Sequence, residues 1–194
     1  MPPADIARAL AAALEADPQP EAAPGDRHAA VLALVVGSSE PALLFTERSP
    51  SLSRHAGEVS FPGGLRDPQD VDLASTALRE TREEIGVEPA TVDLLGALPP
   101  VHTFVSGILV TPFVGIVEAL PSLKVAEAEI ERVLTVPVRV LSELEEEREL
   151  HREGGRVWRG WWYETPGGTI WGATGSMLHA LLEIMRKETP WLTA

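Results

Sequence analysis

The chain has 194 residues, 44% hydrophobic and 23% charged, a composition that suits one folded domain and excludes a multidomain assembly. Twenty-nine acidic against sixteen basic residues leave a net charge of −13, which repels phosphate backbones and anionic lipid and argues against nucleic-acid or membrane partners. There is no cysteine, so disulfides, thiolate metal sites and thiol nucleophiles are excluded and any metal must be held by oxygen or imidazole.

Folding a chain of this length buries roughly 70% of its extended surface, enough for a substantial core. No window approaches ~20 consecutive apolar residues, and the start lacks the apolar stretch of a secretion signal, so a cytoplasmic location is expected. Ile6, Leu10 and Leu14 fall at helical spacing within residues 4–16, after which Pro18, Pro20, Pro24 and Gly25 interrupt the pattern. Residues 1–25 therefore read as a helix on a proline-rich tether, and 26–194 as the main domain. Residues 29–36 are aliphatic and β-branched, a buried strand with 41–46 as its hairpin partner. A short strand over 58–62 ends at Gly63-Gly64, and Asp67-Pro68-Gln69-Asp70 makes a loop.

The strongest helix spans 73–85, with Asp70 or Asp72 to cap its start and Gly86 to stop it. Downstream, 92–98, 108–117 and 133–137 read as strands, the middle one tolerating Pro112 at an edge or bulge. Residues 140–149 form a short acidic helix, whose run 143–149 is a solvated face. The segments 157–163 and 169–171 pair as a hairpin across 165–168. Residues 176–187 close the chain as a helix with Met177, Leu181, Ile184 and Met185 inward.

The chemistry concentrates in Arg79-Glu80-Thr81-Arg82-Glu83-Glu84-Ile85-Gly86-Val87. Relative to Glu80, Glu84 lies about 40° round the helix and Glu83 about 60° to the other side, so three carboxylates share one arc. Leu73, Ala77, Leu78 and Ile85 take the opposite side. Such an arc serves either as a solvated face paired with Arg79 and Arg82 or as oxygen donors for a divalent cation. The preceding double glycine favours the second, because backbone at Gly63 and Gly64 can approach a ligand where a side chain would block it.

These residues resemble the Nudix hydrolases, whose box runs Gly, five residues, Glu, seven residues, Arg-Glu-apolar-any-Glu-Glu-any-Gly-apolar. Thr81 replaces the usual aliphatic residue, and the spacing from Gly64 to Arg79 is one residue longer. Counted back from Arg79, Val71 falls where the early glutamate belongs, leaving Asp70 and Asp72 as candidates to replace it. The stretch 43–64, with Arg48-Ser49, Leu52, His55-Ala56-Gly57 and Phe61-Pro62-Gly63-Gly64, is similar to the segment before the box in coenzyme A pyrophosphatases. So are Thr76 to Thr81 and Ile170-Trp171-Gly172-Ala173-Thr174.

The resemblance implies an α/β/α sandwich with a mixed sheet. It implies hydrolysis of the pyrophosphate of coenzyme A or acyl-coenzyme A to adenosine 3′,5′-bisphosphate and a 4′-phosphopantetheine product, with Mg²⁺ or Mn²⁺ as cofactor. By carry-over Glu80 and Glu84 are metal ligands, Glu83 a further ligand or the base on water, and Gly64 part of the metal site. Arg79 orients a glutamate or forms a structural salt bridge. Arg48, Arg54, His55, Phe61 and Gly63 are the expected substrate contacts, with Arg48 or Arg54 reading the 3′-phosphate. The alternatives are a Nudix pyrophosphatase for ADP-ribose or a similar nucleotide, and a non-catalytic nucleotide-binding regulatory module. The oligomeric state stays open between monomer and homodimer. His102 is expected on a surface loop, His28, His151 and His179 in structural roles, and the tryptophans between 158 and 171 in packing.

Overall fold

Alternation along β1 (Arg27–Val36) sets the layers of the molecule. Its odd residues Ala29, Ala33 and Val35 enter one apolar cluster, while Ala30, Leu32 and Leu34 enter a second on the opposite face. A strand buried on both faces belongs in the middle of a covered sheet. The computed structural model describes residues 3–16, 18, 27–37, 40–52, 55–103, 107–151 and 157–189.

In chain order the elements are α1 (Pro3–Ala11), β1, β2 (Ala42–Arg48), β3 (Val59–Ser60), β4 (Gly63–Leu65) and α2 (Leu73–Ile85). There follow β5 (Asp93–Ala97), β6 (Val101–Thr103), β7 (Ile108–Val117), β8 (Ile130–Pro137), α3 (Val138–Leu144), β9 (Glu145–His151), β10 (Val157–Thr165), β11 (Gly168–Ile170) and α4 (Gly172–Glu188). Among the described residues the main sheet runs β3-β2-β1-β7-β5, with β4 also on β1, β6 on β7 and β8 on β2. It is mixed, since β1 and β7 are parallel and the other pairs antiparallel. Leu73, Ala77 and Ile85 of α2 cover one face. Ile6 and Leu10 of α1, with Met177, Leu181 and Met185 of α4, cover the other. This is the expected α/β/α sandwich, and β9, β10 and β11 add a small second sheet.

Four local expectations are corrected. The helix predicted over 140–149 stops at Leu144, and 145–149 continues as β9. The cause is tertiary: β9 pairs with β10, and Glu145 accepts hydrogen bonds from Tyr163 Oη at 2.7 Å and His179 Nδ1 at 3.0 Å, with Arg186 beside it. Burial raises the Glu145 pKa, and the bonds from His179, Tyr163 and Arg186 outweigh burial and hold it below the ordinary value.

Pro112 lies in an interior strand rather than at an edge. It is tolerated because its partner strand breaks there: β5 ends opposite Phe113, β6 starts opposite Val110, and between them Leu98 N–H donates to the Pro112 carbonyl. Gly63 and Gly64 form β4 itself, paired with Val31 and Ala30, rather than ending the strand before it. His102 falls in β6 rather than in a loop.

The helix expected over 4–16 spans Pro3–Ala11, and the chain beyond it pairs Glu15 with Ala97. The tether over 17–25 lies, Pro18 aside, outside the described residues. Among the described residues no helix is long and apolar enough to cross a membrane. Because Ile6 and Leu10 are fully buried against the main domain, Leu10→Ala is expected to lower stability by about 2–4 kcal/mol, read as a shift in the denaturant midpoint with the slope unchanged.

Candidate active site

The site is built on α2, whose ends are fixed locally. Asp72 Oδ1 accepts the Ser75 N–H and hydroxyl, each at 2.7 Å, and Gly86 in the left-handed region (φ 75°) donates its N–H to the Arg82 carbonyl. Thr81, the departure from the aliphatic pattern, is buried with its Oγ1 donating to the Ala77 carbonyl at 2.7 Å. Its hydroxyl is thereby satisfied within the helix and the position still packs.

Two of the three box glutamates turn toward the sheet. Glu84 is 3% exposed, and its carboxylate accepts the Gly63 N–H at 3.2 Å. Burial pushes its pKa up to about 7, reinforced by Glu80 and Glu129 and opposed by the Gly63 N–H and Arg48. Glu80 packs its carboxylate onto Gly64 so closely that a Cβ there would fall 2.5 Å from Glu80 Cδ. A side chain at position 64 would push the Glu80 carboxylate off this seat. Burial raises the Glu80 pKa, with Arg79 opposing.

Glu83 separates from the other two. It is exposed, and its Oε2 accepts from Arg79 Nη1 at 2.9 Å. Arg79 binds more than one carboxylate at once: Nη1 also reaches Glu80 Oε1 at 2.9 Å, while Nε and Nη2 grip both oxygens of Asp70 at 2.9 Å. Asp70 further accepts from the Asp67 N–H and the Thr76 hydroxyl, each at 2.9 Å. The Arg79 guanidinium therefore holds the buried Asp70 carboxyl well below the usual range.

The paired bonds to Arg79 favour Asp70 over Asp72 where the box spacing is irregular. Counted forward from Gly64, Asp70 stands at the early-glutamate position, and the extra residue falls between it and Arg79. Val71, the position obtained by counting back, is 86% exposed, and Asp72 is occupied as the helix cap.

Two residues join the site from outside the box. Arg48 follows an irregularity in the pairing of β2 with β8, its charge acts on Glu84, and its Nε is buried without a hydrogen-bond partner among the described residues. Glu129, which the sequence reading missed, raises the pKa of both Glu80 and Glu84. It is positioned because Lys124 and Ala126 donate to the Ile85 and Glu84 carbonyls at the end of α2, and Ser49 N–H donates to its own carbonyl at 2.8 Å. No spacing rule links it to the box; the only sequence signal is an acidic residue at the entry to a strand.

The donor set fits a hard divalent cation in kind, since the buried Glu84 carboxylate has Glu80, a half-buried carboxylate paired to Arg79, as a like-charged neighbour. Among the described residues no three carboxylates or imidazoles close into a ready-made ligand set.

Of the expected substrate contacts, Gly63 and Arg48 lie at the carboxylates. Phe61 does not: it is 1% exposed and stacks on Phe45, so it packs the core. His55 bonds Glu58 Oε2 at 2.8 Å within its loop, and Arg54 lies outside the described residues. Trp161 stacks on His179 and Trp162 on Trp171, as packing requires. The side chains of His151 and Trp158 are outside the description.

Asp70→Asn is expected to cost about 3 kcal/mol at neutral pH by leaving Arg79 without its main partner. A carboxyl with a depressed folded-state pKa contributes stability above its unfolded value near 4 and loses it as pH falls through the lower folded value. The wild type is therefore expected to lose stability below about pH 4 more steeply than the variant, as followed by thermal melts across pH.

A family model described as the NUDIX domain matches residues 26–153. The Nudix hydrolase NudL of Cronobacter sakazakii is 40% identical over 159 residues, covering 80% of this chain and 81% of that protein. NudL of Klebsiella pneumoniae is 38% identical over 169 residues, covering 84% and 86%. Among solved structures, the Nudix hydrolase RenU of M. smegmatis matches with a TM-score of 0.53 at 18% identity over 83% of this chain and 87% of its own, a likeness of fold. The chain belongs to the Nudix family, hydrolases that act on pyrophosphate bonds and generally use divalent ions such as Mg²⁺ or Mn²⁺.

Proposed function

We propose that this chain hydrolyses the pyrophosphate of coenzyme A or its thioesters in the cytoplasm, giving adenosine 3′,5′-bisphosphate and 4′-phosphopantetheine or its acyl form. The observation that carries the reading is the seating of Glu80 and Glu84 on Gly64 and Gly63. Those glycines end the stretch 43–64 that resembles the coenzyme A branch, and Arg48 of the same stretch acts on Glu84.

A bound Mg²⁺ or Mn²⁺ would supply charge neutralisation to a pyrophosphate, a stable anion that an acidic chain otherwise repels. Glu80 and Glu84 would hold it, since such ions are usually bound by one or two carboxylates together with water and phosphate oxygens. Glu83, exposed and oriented by Arg79, takes the proton of the attacking water. Arg48, whose charge acts on Glu84, would help neutralise the pyrophosphate.

Turnover of coenzyme A, ADP-ribose and NADH in one assay, with products identified by mass, tests the substrate. Coenzyme A is expected to be preferred, and faster cleavage of ADP-ribose would overturn the reading. Chelator is expected to abolish hydrolysis. Glu83→Gln and Glu84→Gln are each expected to lower kcat by at least on the order of 100-fold with an unchanged circular-dichroism spectrum. A near-normal rate for either variant would remove that residue from the mechanism.

A further inference from the structure

An arginine side chain carries five N–H donors, and in Arg79 the fold occupies every one. Nε and Nη2 bond the two oxygens of Asp70, Nη1 bonds Glu80 Oε1 and Glu83 Oε2, and Nη2 also reaches the Leu65 carbonyl at 3.3 Å. No N–H is left over for a ligand, so the work of this guanidinium is to set where its acids stand. Of the three carboxylates it holds, Glu83 is the one exposed to solvent.

The direction of Arg79 is set in turn by Asp70. Rotation about the terminal bond of an aspartate is soft, yet both oxygens stay on the guanidinium because other donors fix Oδ2. That atom takes the Asp67 N–H, the Thr76 hydroxyl and Arg79 Nη2, each at 2.9 Å, and Oδ1 takes Arg79 Nε at 2.9 Å.

Thr76 is the uncharged side chain of this set, and it is fully buried. A threonine inside a helix ordinarily returns its hydroxyl to the carbonyl four residues back, as Thr81 does to Ala77 at 2.7 Å. In Thr76 the preference is reversed: the Asp72 carbonyl lies at 3.3 Å and the Asp70 carboxylate at 2.9 Å. The Asp72 carbonyl also receives the Thr76 N–H at 3.3 Å, so loss of the hydroxyl falls on Asp70.

We propose that Thr76 is a positioning residue for hydrolysis: it holds Asp70 on Arg79 and, through Arg79, fixes the Glu83 carboxylate that takes the proton of the attacking water. The inference rests on the role of Glu83 proposed above.

Thr76→Val removes the hydroxyl while keeping the shape and every charge, and Thr76→Ala does so without a branched side chain. With Mg²⁺ and coenzyme A, each is expected to lower kcat about tenfold with KM little altered and an unchanged circular-dichroism spectrum, and Thr76→Ser, which keeps the hydroxyl, to return most of the rate. In a Glu83→Gln background Thr76→Val is expected to change kcat by less than about twofold, because the group it positions is already lost. A wild-type kcat in both Thr76→Val and Thr76→Ala, a Thr76→Ser no faster than Thr76→Val, or the full loss repeated in the Glu83→Gln background overturns the proposal.

A measurement without turnover separates this from the substrate reading. The Arg79 Nε–H, bonded to Asp70, is expected to give a nitrogen–proton magnetic resonance signal protected from exchange with water, assigned by its loss in Arg79→Lys. Thr76→Val is expected to shift that signal and speed its exchange, and a signal left unchanged overturns the proposal whatever the substrate. A shifted signal in a chain that leaves coenzyme A intact would sink the substrate reading and uphold the link from Thr76 to Arg79.

Discussion

The structure turns on seating two carboxylates from successive turns of one helix, Glu84 buried and Glu80 half-buried, against bare backbone. Glu84 is nearly inaccessible and has one N–H, from Gly63, to replace the water it gives up. Glu80 lies so close on Gly64 that a side chain there would displace its carboxylate. Burial raises both pKa values, and in Glu84 the rise reaches about 7, so the folded chain disfavours the charged form of Glu84. Sites that store such a penalty are where a cation or a polar ligand is received.

The penalty is borne because the surroundings of Arg79 are over-determined. Its guanidinium grips Asp70 with two bonds and divides a third donor between Glu80 and Glu83. Asp70 in turn is fixed by the Asp67 amide and the Thr76 hydroxyl, which ties the loop after β4 to the first turns of α2. One arginine thus keeps three acids of like sign in place and keeps Glu83 apart from Glu84. The division of roles among the glutamates follows from this geometry rather than from their identical chemistry.

Charge on the rest of the molecule is arranged against the same background. An acidic chain has few cations to spare, and of its sixteen Arg48 lies at Glu84. Elsewhere arginine is used for ordinary cohesion, as where Arg186, Tyr163 and His179 converge on Glu145 to bind α4 to the small sheet. That convergence also converts a sequence with the composition of a helix into β9.

Residues 73–86 determined their own helix, cap to cap, because the periodicity, Asp72 and Gly86 are all local signals. The aliphatic run of β1 and the box glutamates were legible for the same reason, and with them the layers of the sandwich. What the sequence left undecided depends on residues far apart in the chain. The place of Asp70 in the box required its bonds to Arg79, Glu129 required a loop docked on the end of α2, and Phe61 left the list of substrate contacts once it was seen stacked on Phe45. Residues 145–149 became a strand because β10 was there to pair with them. Local propensity and spacing are written along the chain, whereas burial, desolvation and charge pairing exist only between parts of it that folding brings together.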